Sequence, residues 1–225
     1  MNSKGNLLLG AVAKCVVGFI MIALLLFVPA GTICYSNGWL LMGILFIPMI
    51  ILSVVMWVKS PDLLRRRLDS KEKRQTQQEV IKYSGLLFVI GFVVAGLDYR
   101  WGWSSVPSCI SISSAVLFLF GYALYGEVMR ENIWLSRTIQ VEKGQKVITT
   151  GLYGIVRHPM YSATLLMFLP MPIILGSWWA VPIFCAYIPL IVRRILDEEK
   201  LLINELDGYE EYCAKRRWRL IPLVW

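Results

Sequence analysis

Forty-four consecutive residues, Cys15 to Val58, contain no Asp, Glu, Lys or Arg. A bilayer core about 30 Å thick takes about 20 apolar residues per helical crossing. Within it the backbone satisfies its own hydrogen bonds, so a run of this length predicts two membrane helices joined by a turn. The turn is expected at "SNG", Ser36 to Gly38. The first run is too long for the apolar core of a secretory signal, about 7–15 residues, and leads straight into the second, so it reads as a retained span. The same ruler applies further on. Tyr83 to Leu97 gives 15 uncharged residues, a span that its flanks must extend, and Trp101 to Gly126 gives 26. His158 to Val192 gives 35, a helical hairpin turning at Gly176-Ser177, with Pro170 and Pro172 placed to kink its first arm. About six crossings result. A mean hydropathy of +0.60 and a hydrophobic share of 57% agree with an all-α, polytopic membrane protein.

The net charge is +8. A nucleic-acid footprint is one source of such a surplus, but the distribution fits the positive-inside rule better. With both termini in the cytoplasm, every basic residue except Arg100 falls on the cytoplasmic side: Lys4, Lys14 near the inner end of the first span, and the clusters Lys59–Lys82, Arg130–Arg157 and Arg193–Arg219. The surplus then faces anionic lipid head groups, and no nucleic-acid partner is expected. Five cysteines are scattered, without a CxxC, and there is one histidine, so no zinc site and no metal are expected. Cys34 and Cys109 fall near the same end of the spans, where a disulfide is one reading and packing the other.

The chain divides into residues 1–131, four spans with a cytoplasmic loop at 59–82, and residues 132–225. The loop, "SPDLLRRRLDSKEKRQTQQEVIKY", opens with Ser60 as N-cap and Pro61 at the first helical position and reads as a solvated surface helix. From Asn132 the character changes. "NIWLSRTIQVEKGQKVITTGLYGIVRHPMY" is polar, turn-rich and about 30 residues long, the length of a functional loop. It holds the single histidine, His158, at the edge of the apolar hairpin 161–192. Beyond the hairpin, "IVRRILDEEKLLINELDGYEEYCAKRRW" continues as helix, with Leu196, Leu201, Leu202 and Leu206 as its apolar side and a break at Gly208. Arg194 and Glu198 are four apart and share a helix face. Taken singly, His158 suits a structural role, Arg193 and Arg194 suit membrane flanks, and Arg194–Glu198 suits an ordinary helix ion pair. Together they form a polar cytoplasmic pocket beside a membrane, where ionisable groups are functional candidates.

"GLYGIVRHPMY", then "RRILDEEKLL", "DGYEEY" and "RLIP", resembles the isoprenylcysteine carboxyl methyltransferase family from about Asn132 to Pro222. RHPxY alone is also carried by membrane sterol reductases and phospholipid methyltransferases. Ser162-Ala163 stands where the family often has Gly. The resemblance implies transfer of a methyl group from S-adenosylmethionine to the carboxylate of an isoprenylcysteine-like lipophilic acceptor. It implies a cofactor pocket built from the 132–161 loop and the C-terminal helices. The matching positions are Gln140, Gln145, Lys146, Val147 and Ile148 (a strand-like piece), Tyr153, His158, Pro159, Met160 and Tyr161, with a Glu of the post-membrane helix. That Glu is Glu198 or Glu199, and its spacing from Arg194 favours Glu198. Arg194 matches the position that holds the acceptor carboxylate. Rival readings are N-methylation of a phospholipid or other lipid amine, an NADPH-dependent reductase of the sterol-reductase type, and a scaffold or small transporter.

Overall fold

A computed structural model describes residues 2–68, 72, 74–136 and 138–225, without the side chains of residues 2–4. Of the basic residues assigned above, Lys71, Lys73, Arg137 and the side chain of Lys4 lie outside the described residues. Four helices are long and apolar enough to cross a bilayer: α1 (Asn2–Ala30), α2 (Ser36–Lys59), α4 (Gln75–Trp101) and α5 (Ser108–Glu131). A short helix, α3 (Pro61–Leu68), follows α2. No strand occurs among the described residues, and the chain is an all-helical, polytopic integral membrane protein. Lipid-facing positions stay apolar: Val17, Val28 and Ile47 are each more than 60% exposed.

The first turn lies earlier than "SNG". Helix α1 ends at Ala30, Gly31 takes φ +68°, and Ser36 already opens α2. Gly31 supplies the left-handed residue that stops the helix. Gly38 serves packing instead, since a Cβ there would sit 3.0 Å from the Tyr35 ring and 3.2 Å from Phe27. All five cysteines are free thiols, so the disulfide reading does not hold.

The apolar hairpin is built in pieces. Helix α6 (Pro159–Phe168) stops ahead of Pro170 and Pro172, and a single turn, α7 (Met171–Ile174), follows. Gly176, at φ +81°, reverses the chain into α8 (Val181–Cys185) and α9 (Tyr187–Glu205). At the turn the Ser177 hydroxyl donates to Asp98 near the end of α4, and the Tyr35 hydroxyl donates to the carbonyl of Leu175. Asp98 also accepts from the backbone N–H and hydroxyl of Ser104, each at 2.7 Å. The hairpin turn is therefore level with the α1–α2 and α4–α5 loops, at the far end of the bundle from His158.

Two surfaces differ from expectation. On α9 the buried row is Tyr187, Ile191, Ile195 and Glu199; of the expected leucine side, Leu202 and Leu206 do pack inward beside Tyr209 and Tyr212, while Leu196 is 41% exposed. The positions of the buried row are four apart, so one ridge turns inward and carries an acid with it. The segment around α3 is docked rather than solvated, with Leu63 and Leu64 buried. Arg66 donates to the carbonyl of Ile133 at 2.6 Å and pairs with Glu142 at 2.8 Å. Glu72 accepts the backbone N–H of Ile139 at 3.0 Å. Arg74 pairs with Asp197 of α9 at 2.9 Å, and Gln77 bonds the same carboxylate. The segment thus ties the 132–148 loop to α9.

Candidate functional site

Between the 132–148 loop and α9 lies a cleft of about 830 Å³ including its open mouth. Gln140, Gln145, Lys146, Val147, Ile148, Tyr153, His158, Met160, Tyr161, Arg194 and Glu198 all line it. Residues 145–148 carry no regular secondary structure, since no second strand is present among the described residues to pair with them. Gln145 closes its own turn: its side chain accepts the Glu142 N–H at 2.9 Å, with Gly144 at φ +81°. Pro159 is absent from the lining; it is buried at the first position of α6, where a fixed φ starts the helix.

Glu199 is likewise absent from the lining. Its carboxylate, 5% exposed, lies behind the cleft with Arg157 at 3.2 Å, His158 Nε2 at 3.1 Å and Arg219 at 2.8 Å. Burial pushes this carboxyl up, but hydrogen bonds from His158 and Arg219 and the charges of His158 and Arg157 outweigh it and hold the group below its ordinary value. An ionised carboxylate only accepts, so His158 Nε2 carries the proton of that bond. The chain's end completes the cluster. Arg157 and His158 donate backbone N–H bonds at 2.9 Å to the carbonyls of Trp218 and Arg219, and Ser162 donates to Leu220. Arg219 also stacks on Trp225, 5.1 Å from its ring centre.

The front of the cleft is a relay. Arg194 Nε donates to the Tyr161 hydroxyl at 2.9 Å, and that hydroxyl donates to Glu198 at 2.5 Å. On the loop side Asn132 donates to the Tyr153 hydroxyl at 2.8 Å. Helix α10 (Tyr209–Lys215) adds Tyr209 and Tyr212 after Gly208, which takes φ +80°. Tyr212 donates to the carbonyl of Tyr153 at 2.7 Å, and burial pushes its hydroxyl up to about 12. Burial likewise raises the Tyr153 and Tyr209 hydroxyls, so all three stay protonated and neutral. Tyr209 is 4% exposed and its hydroxyl is buried without a hydrogen-bond partner. Neither Tyr209 nor Tyr212 was singled out as a site residue from sequence; "GYEEY" was the signal that held them.

A second, larger cavity of about 1720 Å³, again counting its mouth, lies among α2, α4, α5, α6 and α9. Its walls are mostly Leu, Ile, Val, Met, Phe and Tyr. Met160, Tyr161 and Arg194 line both cavities, so one thin wall separates a polar cleft from an apolar chamber.

Residues 110–206, from within α5 to the end of α9, match the sequence model of the phospholipid methyltransferase family. The Delta(14)-sterol reductase TM7SF2 of Mus musculus is 32% identical over 91 residues, 39% of this chain and 22% of the reductase. The Delta(14)-sterol reductase erg24 of Schizosaccharomyces pombe is 30% identical over 90 residues, 39% of this chain and 21% of the reductase. The chain thus spans about a fifth of the length of the curated relatives it matches. The family match takes in the cleft loop, His158 and α9. Arg66, Glu72, Tyr209, Tyr212 and Arg219 lie outside it. Among the described residues no three His, Cys, Asp or Glu side chains are grouped to hold a metal ion.

Proposed function

We propose that the protein is a membrane-embedded, S-adenosylmethionine-dependent methyltransferase acting on the carboxylate of a lipophilic, isoprenylcysteine-like acceptor. The observation that carries the reading is the shared wall: of the three residues that line both the polar cleft and the apolar chamber, one is a cation, Arg194. The cleft suits the cofactor. Glu198 offers a carboxylate for its ammonium, and loop N–H groups suit its carboxylate. Tyr153 and Tyr212 offer aromatic faces for the adenosine, and the partnerless Tyr209 hydroxyl offers a hydrogen bond. When bound, S-adenosylmethionine supplies a methyl carbon activated by a sulfonium.

The chain's own residues do the rest. A carboxylate is ionised at neutral pH, so no general base is needed. Arg194 orients the acceptor head through N–H donors, with its Nε fixed by Tyr161. The apolar walls around Met160 keep water from the junction. A lipid ammonium is disfavoured there by the same guanidinium, which argues for a carboxylate over an amine acceptor. The likeness to the two sterol reductases supports a second reading, an NADPH-dependent reduction in the same chamber. One titration separates the two. The purified protein is expected to bind S-adenosylhomocysteine saturably and NADPH not at all, and to lose that affinity in Glu198→Ala. Saturable NADPH binding alone would replace the methyltransferase reading with the reductase.

A further inference from the structure

Residues 219–225 close a small loop of their own. The backbone N–H groups of Arg219 and Leu220, each at 2.9 Å, and of Ile221, at 3.2 Å, donate to the main-chain oxygen of Trp225. The tip of the loop is Ile221, Pro222, Leu223 and Val224, apolar throughout and exposed. Leu223 is 83% exposed and Val224 71%. Leu223 takes φ +67°, and no other non-glycine residue among the described ones has a positive φ. The left-handed region is costly for a residue with a Cβ, so the loop holds this leucine outward against local strain. The base of the loop lies where the helices enter the bilayer. Leu220 and Trp225 pack with Tyr187 and Ile191 of α9 and Leu165 of α6. Ahead of the loop, Lys215, Arg216 and Arg217 are exposed, and no ion pair among the described residues engages them. No Asp or Glu occurs from Tyr212 to Trp225, and the acids of α10, Glu210 and Glu211, fall in its first turn, at the other end from Lys215. An apolar tip beside an unpaired basic run suits the head-group region of a membrane, where the cations meet anionic lipid and the apolar side chains enter the acyl boundary. The same loop also reaches the cleft from behind, through the Arg219–Glu199 pair and the carbonyls that hold Arg157 and His158.

We propose that residues 215–224 form a binding surface for anionic lipid of the protein's own bilayer, with Arg216 and Arg217 at the head groups and Leu223 and Val224 in the acyl boundary. Lipid captured on this surface fixes the loop, and the loop fixes the wall behind the cleft, so lipid charge tightens the cleft's hold on its ligand. The lipid surface stands apart from the methyltransferase reading; its link to the cleft rests on that reading.

The test uses the full chain in vesicles of phosphatidylcholine alone, or of phosphatidylcholine and phosphatidylglycerol in equal parts. Val224→Cys, in a chain whose native cysteines are replaced by serine, carries a fluorophore, and a nitroxide on the lipid acyl chain quenches it. Quenching is expected to be at least about twofold greater in the anionic vesicles, because each cation near such a surface adds to the attraction. The difference should vanish at about 1 M salt, where the screening length falls to about 3 Å. It should vanish likewise in the double variant Arg216→Gln, Arg217→Gln. Leu223→Asn suits the left-handed backbone, and should lower the quenching without lowering the melting temperature. Equal quenching in the two vesicles overturns the proposal, whether high in both, as for an ordinary lipid-facing residue, or absent from both, as for a surface that takes a protein. If the chain without native cysteines does not fold, amide exchange of residues 216–225 on anionic vesicles replaces the quenching. Slower exchange in the native chain than in the double variant is then expected, and equal exchange overturns the proposal. S-adenosylhomocysteine should bind at least about threefold tighter on the anionic vesicles, since a loop already held by lipid need not be ordered on binding, and the double variant should lose that gain. Equal affinity beside unequal quenching overturns the link to the cleft. A quenching difference in a protein that binds no S-adenosylhomocysteine overturns the methyltransferase reading and leaves the lipid surface standing.

Discussion

Glu198 and Glu199 are neighbours with opposite surroundings. Glu198 faces the cleft and receives the Tyr161 hydroxyl, whereas Glu199 is enclosed by Arg157, His158 and Arg219. Their substitutions should separate accordingly. Arg194→Ala is expected to abolish methyl transfer while leaving S-adenosylhomocysteine affinity within about twofold, measured by calorimetry beside a turnover assay. Glu199→Gln strips the counter-charge from two guanidinium groups and should cost on the order of 3 kcal/mol, read as a lower melting temperature. The sign of its pH dependence follows from the depressed carboxyl. The stabilisation is complete above the ordinary value of 4.5 and is lost as pH falls through the lower folded value. The gap in melting temperature between wild type and Glu199→Gln should therefore hold from pH 7 to pH 5 and narrow below about 4.5. At this scale much was legible. The i,i+4 spacing from Arg194 separates Glu198 from Glu199, because a helix face is local geometry. The burial of Glu199 was less visible, although the row Tyr187, Ile191, Ile195 pointed to it. Its counter-charge Arg219 comes from the chain's end, a distance that no local period encodes.

Charge-free runs locate the long helices because a bilayer enforces length and apolarity together. The same rule says little about where segments dock outside the bilayer. The α3 segment reads as solvated from its charges, yet Arg66 and Glu72 spend theirs on the backbone and side chains of the cleft loop. Those are partner-specific bonds between segments 67 or more residues apart, and composition does not reveal them. Glu72→Ala removes the acceptor of the Ile139 N–H from a position that does not itself line the cleft. Backbone amides of residues 138–148 should then exchange faster with deuterium, and the Kd for S-adenosylhomocysteine should rise about three- to tenfold. That magnitude corresponds to about 1 kcal/mol for one lost hydrogen bond to a carboxylate shared with loop ordering. Unchanged exchange in this loop would show that α3 lies beside the loop without holding it.

Across the whole molecule, polar chemistry collects at one end. The Asp98–Ser104–Ser177 cluster seals the other end, and the basic clusters lie with His158. The positive-inside rule predicts that this basic end faces the cytoplasm. In sealed vesicles a membrane-impermeant maleimide should label the exposed thiols Cys34 and Cys109 from the side opposite to Cys213, each tested in a chain with the other cysteines replaced by serine. Labelling of all three from one side would contradict the topology. The wall formed by Met160, Tyr161 and Arg194 has a further consequence, for kinetics. A reaction across it answers to two concentration scales, moles per litre for the partner that arrives through water and mole fraction for the partner dissolved in the bilayer. On the proposed function, adding inert lipid at constant total acceptor would dilute only the second and slow turnover with the cofactor still saturating, so that output would follow membrane area.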